Sequence, residues 1–90
     1  MKTHVDESDI QARIADVDYT VMKDGRTTIC TITMINGFAI HGFSACVKIE
    51  NFDAAIGRRY AYEDAFNKLW QLEGYLLAER LMKNKEQKHG

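Results

Sequence analysis

The chain contains no proline, so nothing in it marks a rigid linker. It has two cysteines, Cys30 and Cys46, too few for the disulfide framework of a small secreted domain. Its 12 basic and 13 acidic residues leave a formal charge of −1. That excludes a global field that would draw it to duplex DNA or an anionic membrane, though not a local basic patch. No apolar run approaches the ~20 residues of a membrane-spanning helix. The opening segment M-K-T-H-V-D-E-S-D lacks the apolar stretch of a secretory leader, so none is expected. His4, His41 and His89 are scattered, and no C-x-x-C, H-x-x-H or H-E-x-x-H spacing occurs. No metal and no resident cofactor is therefore expected. Internal repeats, G-x-G-x-x-G and Walker motifs are also missing.

What is present starts with a hydrophobic content of 46% in 90 residues. This argues for one folded domain over residues 1–90, with a core so small that oligomerisation is a common remedy. The informative block is Asp16 to Val47. Two turn dipeptides, Asp24-Gly25 and Asn36-Gly37, cut it into three strand-length pieces, and both suit two-residue hairpin loops. That predicts a meander with Val17 opposite Ile32 and Tyr19 opposite Cys30. Across the second turn it predicts Cys30 opposite Phe43, Ile32 opposite His41 and Met34 opposite Ala39. One face then collects Val17, Tyr19, Val21, Cys30, Ile32, Met34, Ala39 and Phe43. The other carries Asp16, Asp18 and threonines, with Ile29, Ile35, Phe38 and Ile40 needing cover. The two thiols lie too far apart to bond and read as reduced core residues of a cytosolic protein.

Ser8 to Ala15 reads as a short helix capped by Ser8. From Asn51 the period becomes helical, with Asn51 or Asp53 as N-cap. Ala54, Arg58, Ala61, Ala65, Leu69, Leu72 and Leu76 form one stripe, whose alanines would let the helix sit close to a sheet. Tyr62, Phe66, Trp70 and Leu77 form a second. Gly74 weakens the run by ~1 kcal/mol relative to alanine, so two helical pieces with a bend or break near Gln71 to Gly74 are expected. The predicted architecture is α+β: an N-terminal arm with a short helix (1–15), a three-stranded antiparallel meander (16–48), a helical segment (51–84) and a frayed tail (85–90). Two apolar stripes exceed what one small sheet can hide. Either the core-facing surface is wide, or Tyr62, Phe66, Trp70 and Leu77 pack on a second protomer in a dimer or a multiple of dimers.

No catalytic residues are expected. Ser44 and Cys46 share a strand with His41, but the odd offset turns Ser44 away from the imidazole, which reads as a half-buried packing residue. Glu63 and Asp64 diverge by roughly 100° on a helix and cannot share a proton. The run I-G-R-R-Y-A-Y-E-D instead gathers Arg58, Arg59, Tyr60 and Tyr62, guanidinium groups suited to phosphate and rings suited to stacking on bases. Arg26, in the first turn, and Asn51, before the helix, could join them. The competing reading pairs Arg58 and Arg59 with Glu63, Glu50 or Asp53 on a solvated face.

Six blocks in order, D-G-R-T-T-I-C, N-G-F, G-F-S-A-C-V, N-F-D, I-G-R-R-Y-A-Y-E-D-A and L-W-Q-L-E-G-Y-L-L-A-E, resemble a family of small phage-encoded proteins, the N4/Sf6 gene-product-forty-nine/sixty-six family. The resemblance spans roughly Val17 to Leu81. One departure is Gln71, where the family pattern implies proline. The resemblance implies a phage accessory protein in the cytoplasm of the infected bacterium. Through its size, β-then-α layout and phage context the family is similar to the first Thoeris anti-defence protein, a sponge for immune signals. That implies a protein that captures a nucleotide-derived second messenger, of cyclic ADP-ribose type or a cyclic oligonucleotide, without cleaving it. A protein that binds and inhibits a host protein is the main rival, and a messenger-degrading enzyme a third.

Overall fold

The computed structural model describes residues 4–89, with side chains through residue 85. The chain runs α1 (Glu7–Gln11), β1 (Ile14–Val21), β2 (Thr27–Met34), β3 (Ala39–Ala45), a 3-10 turn (Ile49–Asn51) and α2 (Ala54–His89). The strands form one antiparallel sheet in the order β1-β2-β3, which is the expected α+β meander with a short helix before it and a long one after.

The first hairpin has the predicted register, Val17 opposite Ile32 and Tyr19 opposite Cys30. Its last rung is the Met22 N–H donating to the Thr27 carbonyl at 2.8 Å. The loop is longer than two residues but centred on the same Asp24-Gly25, so the pairing is unchanged. The second hairpin differs. Met34 N–H donates to the Phe38 carbonyl at 2.8 Å, leaving Ile35, Asn36 and Gly37 as a three-residue loop with Gly37 at φ +88°. A loop one residue longer slides the pairing by one position and turns every β3 side chain over. Cys30 therefore pairs with Gly42, Ile32 with Ile40 and Thr33 with Ala39, in place of the predicted Phe43, His41 and Met34–Ala39 pairs. Ile40 is buried and Phe43 is 53% exposed, the reverse of the expected faces. His41 is likewise exposed and not a packing residue. Both cysteines are free thiols, as expected, but only Cys30 is a core residue; Cys46 lies past the end of β3 and is half-buried.

β2 alternates strictly, with Thr28, Cys30, Ile32 and Met34 buried. Against this face lie Ala61, Ala65 and Leu69 of α2 and Ile10 of α1. Gly42 makes the close approach possible. A Cβ built there would fall on the Ala61 carbonyl oxygen and the Ala65 backbone nitrogen, and 2.7 Å from the Ala65 Cβ. The alanine stripe thus rests directly on the β3 backbone.

α1 is shorter than the expected Ser8–Ala15 helix. Asp6, not Ser8, precedes it, with the Asp6 N–H donating to Asp9 Oδ2 at 3.2 Å. Ile14 leaves the helix because it pairs with Met34 in the sheet, across an irregularity at Ala15. Arg13 Nη1 binds Glu73 Oε2 at 2.9 Å, tying this end of the chain to α2.

The expected break at Gln71 to Gly74 is absent: α2 is one helix of 36 residues running to His89, since a single glycine costs only ~1 kcal/mol. Such a helix is ~54 Å long, while a seven- or eight-residue strand spans ~25 Å. The molecule measures 62 × 22 × 19 Å, so the far half of α2 overhangs the sheet. Leu72 and Leu76, predicted to continue the buried stripe, are exposed with Tyr75 and Met82, and Leu72 and Tyr75 still border β3 beside Ala39 and Phe43.

Along β3 the helix clasps the sheet margin. Asp64 Oδ2 accepts the Phe43 N–H at 2.9 Å and Lys68 Nζ donates to the His41 carbonyl at 2.8 Å. The two side chains are themselves 3.3 Å apart, and the ammonium stands 5.1 Å from the Phe43 ring centroid. The Phe43 N–H, then Lys68, hold the Asp64 carboxyl below the ordinary carboxylate range.

Candidate functional site

At the end of the sheet where β2 begins and β3 ends, three segments meet the start of α2. Asp24 orders the first: its Oδ1 accepts the N–H groups of Arg26 (3.0 Å) and Thr27 (2.9 Å), and its Oδ2 accepts the Thr27 hydroxyl (2.6 Å). These bonds, the Thr27 hydroxyl first, hold the Asp24 carboxyl below its ordinary range, and they fix the loop that carries Arg26. The second segment follows β3, where the Cys46 N–H donates to the Arg26 carbonyl at 3.1 Å and Arg26 Nη1 donates to the Val47 carbonyl at 3.2 Å. The third is the 3-10 turn and the residues that cap α2. Asp53 Oδ1 accepts the N–H groups of Ala55 (3.0 Å) and Ile56 (3.2 Å), an N-cap of the kind α-helices favour.

These segments border an open pocket of about 150 Å³. Arg26 and Cys46 stand on the sheet side, Asn51 and Asp53 on the connection, and Tyr60 on the second turn of α2. Gly57 forms part of the floor. A Cβ built on Gly57 would lie 2.6 Å from the Thr28 hydroxyl, a buried group with no hydrogen-bond partner among the described residues.

Of the six predicted ligand residues, Arg26, Asn51 and Tyr60 therefore line one pocket, and Arg58, Arg59 and Tyr62 do not. The helix separates them, because adjacent residues point ~100° apart. Arg59 Nε reaches Glu63 Oε1 at 3.4 Å on the exposed face, the ion pair that the competing reading foresaw. Arg58 and Tyr62 sit on the flank beside Tyr19 of β1, which pairs across the sheet with Cys30. Burial, first of all, pushes Tyr19, Cys30 and Tyr62 up.

The predicted interface residues also separate. Tyr62, Phe66 and Trp70 form a continuous ladder, with ring centroids 5.8 and 6.5 Å apart, along an open hollow of about 360 Å³ that Glu7, Glu63 and Asn67 also line. Trp70 remains 41% exposed. Leu77 is turned instead into a hollow with Val5, Ala12 and Arg13. Among the described residues no group of three or more His, Cys, Asp or Glu could hold a metal ion, and no helix is long and apolar enough to cross a membrane.

Cys46 was not foreseen as a pocket residue, and Asp53 was expected only as a cap or as an ion-pair partner of the arginines. The clasp was not foreseen either, although Asp64 and Lys68 stand at the helical i, i+4 spacing that puts two side chains on one face.

The elements and their register define a small α+β protein in which one long helix crosses a three-stranded meander. The chain belongs to the phage protein (N4 Gp49/phage Sf6 gene 66) family, whose profile matches residues 5–81. The match takes in α1 as well as the meander and most of α2, and so starts earlier than the motif blocks. No curated protein and no solved structure matches the chain.

Proposed function

We propose that this phage protein acts in the cytoplasm of the infected bacterium as a non-enzymatic sponge for a nucleotide-derived immune messenger, of cyclic ADP-ribose type or a cyclic oligonucleotide. The observation that carries this reading is the convergence of Arg26, Asn51 and Tyr60, from three separate segments, on one pocket. They bring together a phosphate donor, an amide that can pair with a base edge, and a stacking surface. The pocket is smaller than the ~300–1,000 Å³ that encloses a whole small molecule. The rest of the ligand therefore lies outside it, against a second copy of the chain. A dimer or a multiple of dimers assembled through the Tyr62–Phe66–Trp70 ladder would supply that second copy, and the exposed Arg58 and Arg59 are the groups it would offer.

The test is extraction by heat. Protein purified from cells that make the messenger should release it intact, as read by mass spectrometry, and Arg26→Ala or Tyr60→Ala protein should release far less. A ligand recovered with altered mass would replace sequestration by degradation. One observation favours a second reading, inhibition of a host protein: the outer face of α2 beside β3 bears Tyr75, 71% exposed, with the exposed Leu72 and Leu76. A host protein retained by wild type and lost with Tyr75→Ala, with no nucleotide released, would establish that reading over the first.

A further inference from the structure

We infer that the pocket at the start of α2 takes the nucleoside part of its ligand through hydrogen-bond donors held by Asp53, and leaves the phosphate outside on Arg26. This rests on the nucleotide-binding reading and divides that ligand between two parts of the site.

A helix N-terminus ordinarily attracts phosphate, because its free N–H groups and dipole favour an anion. Here that place is taken. Asp53 Oδ1 already accepts the N–H groups of Ala55 and Ile56, so the anion at this helix end is the protein's own. A phosphate in the same space would meet a carboxylate. The capping bonds also fix the carboxylate in direction. Its other oxygen, Oδ2, has no protein partner among the described residues, and the side chain lines the pocket. Asp53 is exposed at the pocket mouth, and an ionised carboxylate oxygen accepts only; it selects hydroxyl or amino hydrogens, as acidic residues do with ribose hydroxyls in dinucleotide sites.

The volume agrees. About 150 Å³ is on the scale of one ring, a ribose or a base, so the rest of a larger ligand lies outside the pocket. Asn51 adds a donor and an acceptor beside Asp53, and Tyr60 supplies a ring face. Arg26 is exposed at the rim and spends one N–H group on Val47, which leaves its other donors for phosphate oxygens.

Cys46 lines the same pocket and is half-buried, while Cys30 is fully buried. The rate at which a thiol reagent labels Cys46 therefore reports occupancy. Millimolar adenosine should slow labelling several-fold, and inorganic pyrophosphate at the same concentration should not. Asp53→Asn keeps a cap of equal quality, so that variant should melt like wild type and lose the protection by adenosine. Asp53→Ser serves as a second capping variant. Loss of protection with 2′-deoxyadenosine would assign the ribose hydroxyls, and loss with inosine the base amino group. Protection by pyrophosphate but not adenosine, or full protection of the Asp53→Asn protein, would overturn the assignment. Cyclic ADP-ribose separates the two claims. If it binds but adenosine gives no protection, the assignment falls and sequestration stands. If adenosine protects and no cyclic nucleotide binds, sequestration falls and the assignment stands. If nothing protects or binds, both fall.

Discussion

Replacing Gly42 by alanine adds one methyl group at the place where α2 touches the sheet. The new Cβ would fall on the backbone of Ala61 and Ala65 and 2.7 Å from the Ala65 Cβ. None of these atoms belongs to a flexible side-chain end that could step aside. Ordinary contact requires the helix to move away by roughly 1 Å, and a radial gap of that size forfeits about a quarter to a half of each dispersion contact across it. The gap opens over the packing of Cys30, Ile32 and Ile40 against Ala61, Ala65 and Leu69, which is most of the buried core. We expect a loss near the upper end of the overpacking range, about 3 kcal/mol, or ~12–24 °C in Tm for a domain of this size. The assay is thermal and urea denaturation followed by circular dichroism at fixed protein concentration, because self-association would shift the midpoint by mass action. Gly74→Ala is the control. Its added methyl meets nothing within 4 Å, and alanine in a helix interior should raise stability by ~0.5–1 kcal/mol. A Gly42→Ala protein within ~0.5 kcal/mol of wild type, the spread of ordinary surface changes, would refute the close helix–sheet approach.

The register of β3 makes a second pair of substitutions informative. Ile40→Ala should cost ~2–5 kcal/mol as a buried truncation, while Phe43→Ala, on the open face, should cost far less; the opposite order in urea melts would restore the two-residue loop. The Asp64 carboxyl is depressed in the folded state, so its contribution is present above the unfolded carboxylate pKa and is lost as pH falls through the lower folded value. Asp64→Asn protein should therefore lose less stability than wild type between about pH 5 and pH 2, and identical acid slopes would remove the Phe43 N–H bond from the account. Trp70→Ala should leave the far-ultraviolet spectrum intact and lower the mass seen by light scattering; an unchanged mass would take the aromatic ladder out of the interface.

Much of the fold was legible because independent signals agreed. Asp24-Gly25 and Asn36-Gly37 marked both turns, β2 alternated without exception, and Ala61, Ala65 and Leu69 kept a helical period. The β3 register was not legible, since Asn36-Gly37 serves a two-residue loop and a three-residue loop equally well: in either case the glycine supplies the left-handed position. That single ambiguity exchanged Ile40 and Phe43 between faces. The continuity of α2 was missed because one glycine was given too much weight against a long run of good helix formers. In the site, Arg26, Asn51 and Tyr60 were recognisable by residue type, but Arg58, Arg59 and Tyr62 were grouped with them by adjacency, which a helix disperses. The place of Asp53 in the pocket was not legible, because it depends on how the β1–β2 loop and the segment after β3 fold against the start of α2.

The clasp on β3 has a counterpart at the opposite margin of the sheet, where exposed Asp16 and Asp18 alternate along β1. An incoming strand would find its bonding sites taken by Asp64 and Lys68 on one side and a row of like charges on the other, if it came from an identical molecule. Ladder-wise growth into fibres is thereby obstructed at both borders, and the sheets of neighbouring copies are kept from running together.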